Sequence, residues 1–253
     1  MRIKPSLPSS GTVAILYAIW LATPRISVGV ESVPRDSFNF SGLDRYVTRL
    51  AEISEGSEAA LFYREKNSYK GISSLKKLKY LKARQVNQGF LDEICDIENL
   101  ELLSLSIISV HDLSPLLRLK KLRVLRLQAV HRVQDFSHLS SHAGLEGLYI
   151  EHARNLTTLD FLSDSTKLTR LGVEGSMYTP QKIATLRPLS KLRSLEALFL
   201  TSVQLADKRL DYLSACKALV ELTCARFAPK ENFEELSRLM PGLKCQWFDK
   251  YEV

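Results

Sequence analysis

The sequence predicts an α/β solenoid, with a parallel β-sheet on a concave face and short helices or turns on a convex face. Three observations lead there. A frame L-x-x-L-x-(L or a similar residue) begins at Leu78, Leu100, Leu122, Leu145, Leu168, Leu195 and Leu219, at steps of 22 to 27 residues. A sustained period of this size marks a stacked repeat. The last four residues of each frame, as in Leu122-Arg-Val-Leu125-Arg-Leu127, alternate outward and inward as a short strand does. Behind each frame come apolar residues spaced for one or two helical turns, as in Asp112-Leu113-Ser114-Pro115-Leu116, Asp135-Phe136-Ser137-His138-Leu139 and Leu159-Asp160-Phe161-Leu162.

This pattern, frame followed by an I-x-D-I-x-P-L-like segment, resembles the leucine-rich repeat family, and within it the short bacterial class of internalin-type domains. The resemblance covers roughly residues 75 to 248 and is carried by seven frames in register. It implies a horseshoe. One column departs from the family. Where an Asn usually stands three residues after the last frame leucine and bonds buried backbone groups, this chain has Val86, Ile108, Val130, Ala153, Ser176, Val203 and Phe227. Buried backbone groups still need partners, so turns or water are expected to supply them.

The segments divide in order. Residues 1–35 hold Arg2 and Lys4, the apolar run Val13 to Ala22, and a small-x-small triplet at Ser27-Val28-Gly29. Those are the parts of a secretory signal peptide. The run is too short for a membrane span, which needs about 20 residues. A buried strand or helix of an N-terminal cap fits the same residues, so a cytoplasmic and a secreted location both stay open. Residues 36–74 are expected to form the N-terminal cap, with a degenerate first strand at Ala59-Ala60-Leu61-Phe62 and an amphipathic helix over Leu43 to Ile53. Residues 75–240 carry the repeats. In 241–253, Leu243-Lys-Cys-Gln-Trp247-Phe248 keeps the period as a capping strand, with Gln246 in the second leucine slot and Trp247 as a capping hydrophobe. The helix before it is stopped by Pro241-Gly242.

Composition is that of a folded domain: 45% hydrophobic, 25% charged, net charge +7. Basic residues concentrate from Lys66 to Arg84 and at Arg118, Lys120, Lys121 and Arg123. They fall at turns ahead of the strands, which favours a solvated edge over a nucleic-acid site; the latter would interleave aromatic residues. The four cysteines, Cys95, Cys216, Cys224 and Cys245, lack metal spacing. Cys224 and Cys245 lie in neighbouring strands, where a capping disulfide and two buried thiols both fit. The histidines His131, His138 and His142 invite a metal or catalytic reading, but no Glu stands between them in the H-E-x-x-H manner. Solvent-facing histidines are expected instead. No phosphate loop or nucleophile elbow is present. The expectation is a protein that is not an enzyme, with no cofactor and no metal.

Strand alternation assigns the concave face in three columns. The first is Tyr80, Leu102, Val124, Gly147, Arg170, Ala197 and Glu221; the second is Lys82, Ser104, Arg126, Tyr149, Gly172, Phe199 and Thr223; the third is Arg84, Ser106, Gln128, Glu151, Glu174, Thr201 and Ala225. Aromatic and arginine residues are the usual anchors of protein interfaces. Tyr80, Lys82, Arg84, Arg126, Tyr149, Glu151, Arg170 and Phe199 are therefore the candidate partner-binding residues, with Leu102 and Val124 as exposed apolar flanks. The expected function is binding of an unidentified protein partner by a monomer without a transmembrane span. The alternative is binding of nucleic acid or another polyanion by the basic N-terminal repeats.

Overall fold

The computed structural model describes Leu43, residues 45–249 and Tyr251. The signal-peptide and cap readings of residues 1–35 lie outside these residues. Strands β1 (Ala59–Tyr63), β2 (Tyr80–Arg84), β3 (Leu102–Ile108), β4 (Val124–Val130), β5 (Gly147–Ala153) and β6 (Arg170–Glu174) follow one another along the chain. After them come β7 (Gln181–Ile183), β8 (Ala197–Leu200), β9 (Val203–Leu205), β10 (Glu221–Cys224) and β11 (Lys244–Cys245). Nine of these form one parallel sheet in the order β1-β2-β3-β4-β5-β6-β8-β10-β11, and β7 pairs with β9 in a small second sheet.

Each repeat returns behind the sheet through a short turn of helix, most of them 3₁₀: Ile72–Ser74, Ser114–Arg118, Asp160–Leu162, Arg187–Lys191 and Asp211–Ala215. Among the described residues three α-helices, α1 (Gln88–Ile94), α2 (Ser137–Ser140) and α3 (Lys230–Leu239), take the same place elsewhere. The D-L-S and D-F-S motifs start these turns for a local reason. Asp112 Oδ1 accepts from the Ser114 N–H at 2.7 Å, and Asp135 Oδ1 from the Ser137 N–H at 2.8 Å. Thr185 Oγ1 does the same for the Arg187 N–H at 3.1 Å. A short polar side chain thus closes the turn that sends the chain back. Between sheet and turns lies one continuous core in which all seven frame-opening leucines are buried.

The missing Asn column is replaced by backbone. Gln85, Ile107, Ala129 and His152 stand one residue ahead of Val86, Ile108, Val130 and Ala153, and all four have positive φ, from 51° to 62°. A left-handed residue costs on the order of 1 kcal/mol outside glycine. Here the kink recurs in four consecutive repeats, and the kinked segments hydrogen-bond to one another. The Gln85 N–H donates to Ser106 O at 3.0 Å, Val86 N–H to Ile107 O at 3.1 Å, Ser109 N–H to Val86 O at 2.8 Å and Arg154 N–H to Val130 O at 3.0 Å. The apolar column then packs beneath this ladder, with Val86, Ile108, Val130 and Ala153 all buried.

The series of kinks breaks after Ala153, and Gln181 fills the gap. Its side chain is buried. Its Oε1 accepts from the Ala153 N–H at 3.1 Å, and its Nε2 donates to Ala153 O at 3.0 Å and to Leu156 O at 2.5 Å. Gln181 begins β7, inside the repeat that spans 27 residues between frames.

The ends differ from expectation in two respects. Leu43 to Ile53 is not an amphipathic helix. Val47 forms a parallel bridge to Phe62, bonding Leu61 O and accepting from the Tyr63 N–H, and only Leu50–Glu52 turns, as 3₁₀ helix. Val47 thereby covers the edge of β1, and Val47, Leu50 and Ile53 pack on the core. At the other end, β11 sits one residue out of the frame: Cys245, not Gln246, stands opposite Leu222. A slip of one residue exchanges the two faces of a strand. Cys245 therefore points inward and Gln246 is exposed. Trp247 packs against the core, and its Nε1–H donates to Cys224 O at 2.8 Å.

Candidate functional site on the concave face

The register of the sheet places the outward columns side by side. Tyr80, Leu102, Val124, Gly147, Arg170, Ala197 and Glu221 are mutual partners across successive strands, as are Lys82, Ser104, Arg126, Tyr149, Gly172, Phe199 and Thr223. Arg84, Ser106, Gln128, Glu151 and Glu174 form the third row.

Two clusters emerge. At the centre, the Arg126 guanidinium lies 4.9 Å from the Tyr149 ring centroid, and the Tyr149 and Phe199 rings are 6.4 Å apart. Gly172 makes this possible. A Cβ there would lie 2.7 Å from Tyr149 Cδ1, so the bare backbone of β6 is the floor on which the ring lies down toward Phe199. Beside it runs a polar row. Gln128 Nε2 donates to Glu151 Oε2 at 2.9 Å, and Thr201 Oγ1 donates to Glu174. Burial pushes both carboxyls above their ordinary range, and Glu174 pushes Glu151 further by repulsion.

The basic end is built differently. Arg84 stacks between Tyr46 and Tyr63, 5.5 and 6.0 Å from their centroids. Burial draws the Lys82 ammonium below its usual value, and the Arg126 charge adds to that shift. Tyr80 lies on β2 and Arg170 on β6, so these two candidates stand apart from each other.

The expectation of exposed apolar flanks fails. Leu102 is 3% exposed and Val124 2%; Tyr149 itself is 6% exposed. Period-two alternation gives direction, and direction on a curved sheet is not exposure. Sequence reading also missed Gly172, Gln181 and the stacking pair Tyr46 and Tyr63. Only Gly172 carried a signal, as a glycine inside a strand pattern. The enlarged repeat also presents Met177 and Tyr178, 66% and 89% exposed, on a tight turn held by Ser176 Oγ, which accepts from the Tyr178 and Thr179 N–H groups.

The histidines do not gather. His142 is buried rather than solvent-facing: its Nε2 lies 2.9 Å from Leu119 O, and desolvation lowers its pKa. The neutral ring bridges two repeats, and α2 ends before reaching it. His138 sits 3.7 Å from Asp112, and His131 stacks edge-on against His152. Among the described residues no group of three or more His, Cys, Asp or Glu could hold a metal ion, and no helix is long and apolar enough to cross a membrane.

The in-register rows, the inward leucines and the backing turns define a leucine-rich repeat solenoid. Among solved structures the chain is similar to internalin C2 of Listeria monocytogenes, with TM-score 0.47 and 20% identity over 60% of this chain and 65% of that chain. It is also similar to a second internalin of that organism, inlF, with TM-score 0.36 and 19% identity over 76% of this chain and 80% of that chain. A leucine-rich repeat protein of Leptospira interrogans gives TM-score 0.41 and 15% identity over 74% of this chain and 58% of that chain. The chain spans less than two thirds of the internalin C2 and Leptospira chains. No family model and no curated protein matches it.

Proposed function

We propose that this chain is a non-catalytic module that binds a protein partner with its concave face. The observation that carries the reading is the central cluster of Arg126, Tyr149 and Phe199, held in one place by Gly172. These are the residue types that anchor protein interfaces. Their mutual packing fixes their rotamers before a partner arrives, which lowers the ordering cost of binding. Tyr80, Lys82, Arg84, Glu151 and Arg170 surround the cluster as its polar rim. Because Tyr149 is largely buried, its removal would disturb the fold. The test therefore uses half-buried residues. Affinity capture from the native host with Phe199→Ala plus Lys82→Ala is expected to lose the partner retained by the unmodified chain, with an unchanged circular dichroism spectrum. Equal recovery of the partner would reject the concave-face assignment.

A second reading, binding of a nucleic acid or other polyanion, is supported by one observation. Lys82 and Arg84 on β2 and Arg126 on β4 put three cations on the N-terminal half of the face, and the Lys82 ammonium is already disfavoured by burial and by Arg126. An anion would relieve that cost. Binding of labelled RNA or DNA that falls steeply with salt is the expected sign. No mobility shift at low salt would end this reading.

A further inference from the structure

The end of the solenoid holds two thiols that the concave face does not use. Leu222 on β10 stands opposite Cys245 on β11, so Cys224 lies two residues further along on the same inward face. Each thiol shifts the titration of the other, as neighbours on one inward face do. Gln246 Nε2–H and Trp247 Nε1–H both donate to Cys224 O, at 3.2 and 2.8 Å, and so tie the turn after β11 to the same residue.

Diagonal neighbours on one sheet face are about 7–8 Å apart at Cα, so a disulfide between them needs backbone movement. β11 is the element able to close the remainder. It has two residues, pairs on one side only, and leads into a turn. The other cysteines provide the contrast. Cys216 Sγ donates to Leu189 O at 3.1 Å, and burial pushes its thiol up to about 11. Burial pushes the Cys95 thiol up to about 12.

We propose that Cys224 and Cys245 form a reversible redox pair that closes to a disulfide and staples the terminal strand to the sheet. The co-reactant is a small disulfide, RSSR, of the glutathione class. Cys245 attacks first. It is the more accessible thiol, 9% exposed against 2% for Cys224. The neighbouring Cys224 thiol holds its pKa below the usual thiol value, while Cys224 is pushed well up by Cys245 and by burial. The thiolate is the nucleophile. Cys245 thiolate bonds one sulfur of RSSR and expels RS⁻. Cys224 then gives its proton to solvent, bonds Cys245 Sγ and expels the second RS⁻. Two protein thiols are oxidised by two electrons, and one RSSR becomes two RSH.

The test uses the full chain, reduced and then incubated with oxidised glutathione at mildly alkaline pH. Free thiols are alkylated under denaturing conditions and the peptides are mapped by mass. The expected product is lighter by two hydrogen atoms, contains a Cys224–Cys245 cross-linked peptide and reverts with dithiothreitol. Cross-linking a loop of this length is expected to raise Tm by about 6 °C or more. A Cys95→Ser/Cys216→Ser variant should form the same cross-link. Four alkylated cysteines after oxidation, a glutathione adduct that stays on Cys245, or a cross-link through Cys95 or Cys216 would each overturn the proposal.

Discussion

Gln181→Met tests whether one side chain replaces the family's Asn ladder where the backbone kinks stop. Methionine keeps the length and volume of glutamine but can neither donate nor accept effectively. The substitution leaves two buried backbone groups without their partner, the Ala153 N–H and Leu156 O; Ala153 O keeps the Leu156 N–H as donor. A buried polar group left unsatisfied costs about 1–3 kcal/mol. Taking the low end for each group, because water can enter beside an enlarged repeat, gives a loss of about 2 kcal/mol. For a chain of this size each kcal/mol moves Tm by about 2–4 °C, so the midpoint should fall by about 4–8 °C. Thermal and urea melts followed by circular dichroism read this directly, with an unchanged urea slope showing that the native state keeps its compactness. The control is Lys182→Met on the same strand, whose side chain is exposed and whose replacement should cost less than about 0.5 kcal/mol. If Gln181→Met melts within 2 °C of the parent, Gln181 is not the substitute for the Asn ladder.

Three further outcomes are expected. Gly172→Ala puts a methyl 2.7 Å from Tyr149 Cδ1; the ring must leave its seat over β6, at a cost of about 1–3 kcal/mol, and Tyr149 should become accessible to nitration, which it resists in the parent. Glu174→Gln should stabilise at neutral pH and have no effect in acid. The folded state raises this carboxyl's pKa, so it holds the proton more tightly than the unfolded chain, and stability falls as pH rises from the ordinary carboxylate range through the raised value; a parallel pH–stability profile for parent and variant would refute this. Asp112→Ala removes the acceptor for both the Ser114 N–H and the Ser114 hydroxyl, and should cost about 1 kcal/mol, read as a lower Tm that Asp112→Asn largely restores.

What the sequence disclosed follows from what periodicity can encode. A leucine repeated every 22 to 27 residues fixes which side chains point inward, and the observed register reproduces all three outward rows through β6. Periodicity is silent wherever one repeat differs from its neighbours. Gln181 follows an insertion, and the register aligns it with Val203 of the next repeat, where counting from the frame marked Ser176 instead. β11 sits one residue out of the frame, with Cys245 buried and Trp247 packed against the core after it, and the period carries no sign of that shift. Exposure was misread for a related reason. Leu102, Val124 and Tyr149 point outward as the frame requires, yet they are almost wholly buried, and burial on a sheet face depends on cross-strand neighbours as well as on position along one strand. The same packing bears on function. The centre of the concave face already holds its arginine and aromatic rings against one another, so a partner meets a preformed surface, and substitutions that loosen Tyr149 should weaken binding and folding together. Lys82 on the rim and the half-buried Phe199 of the cluster are where the two effects separate.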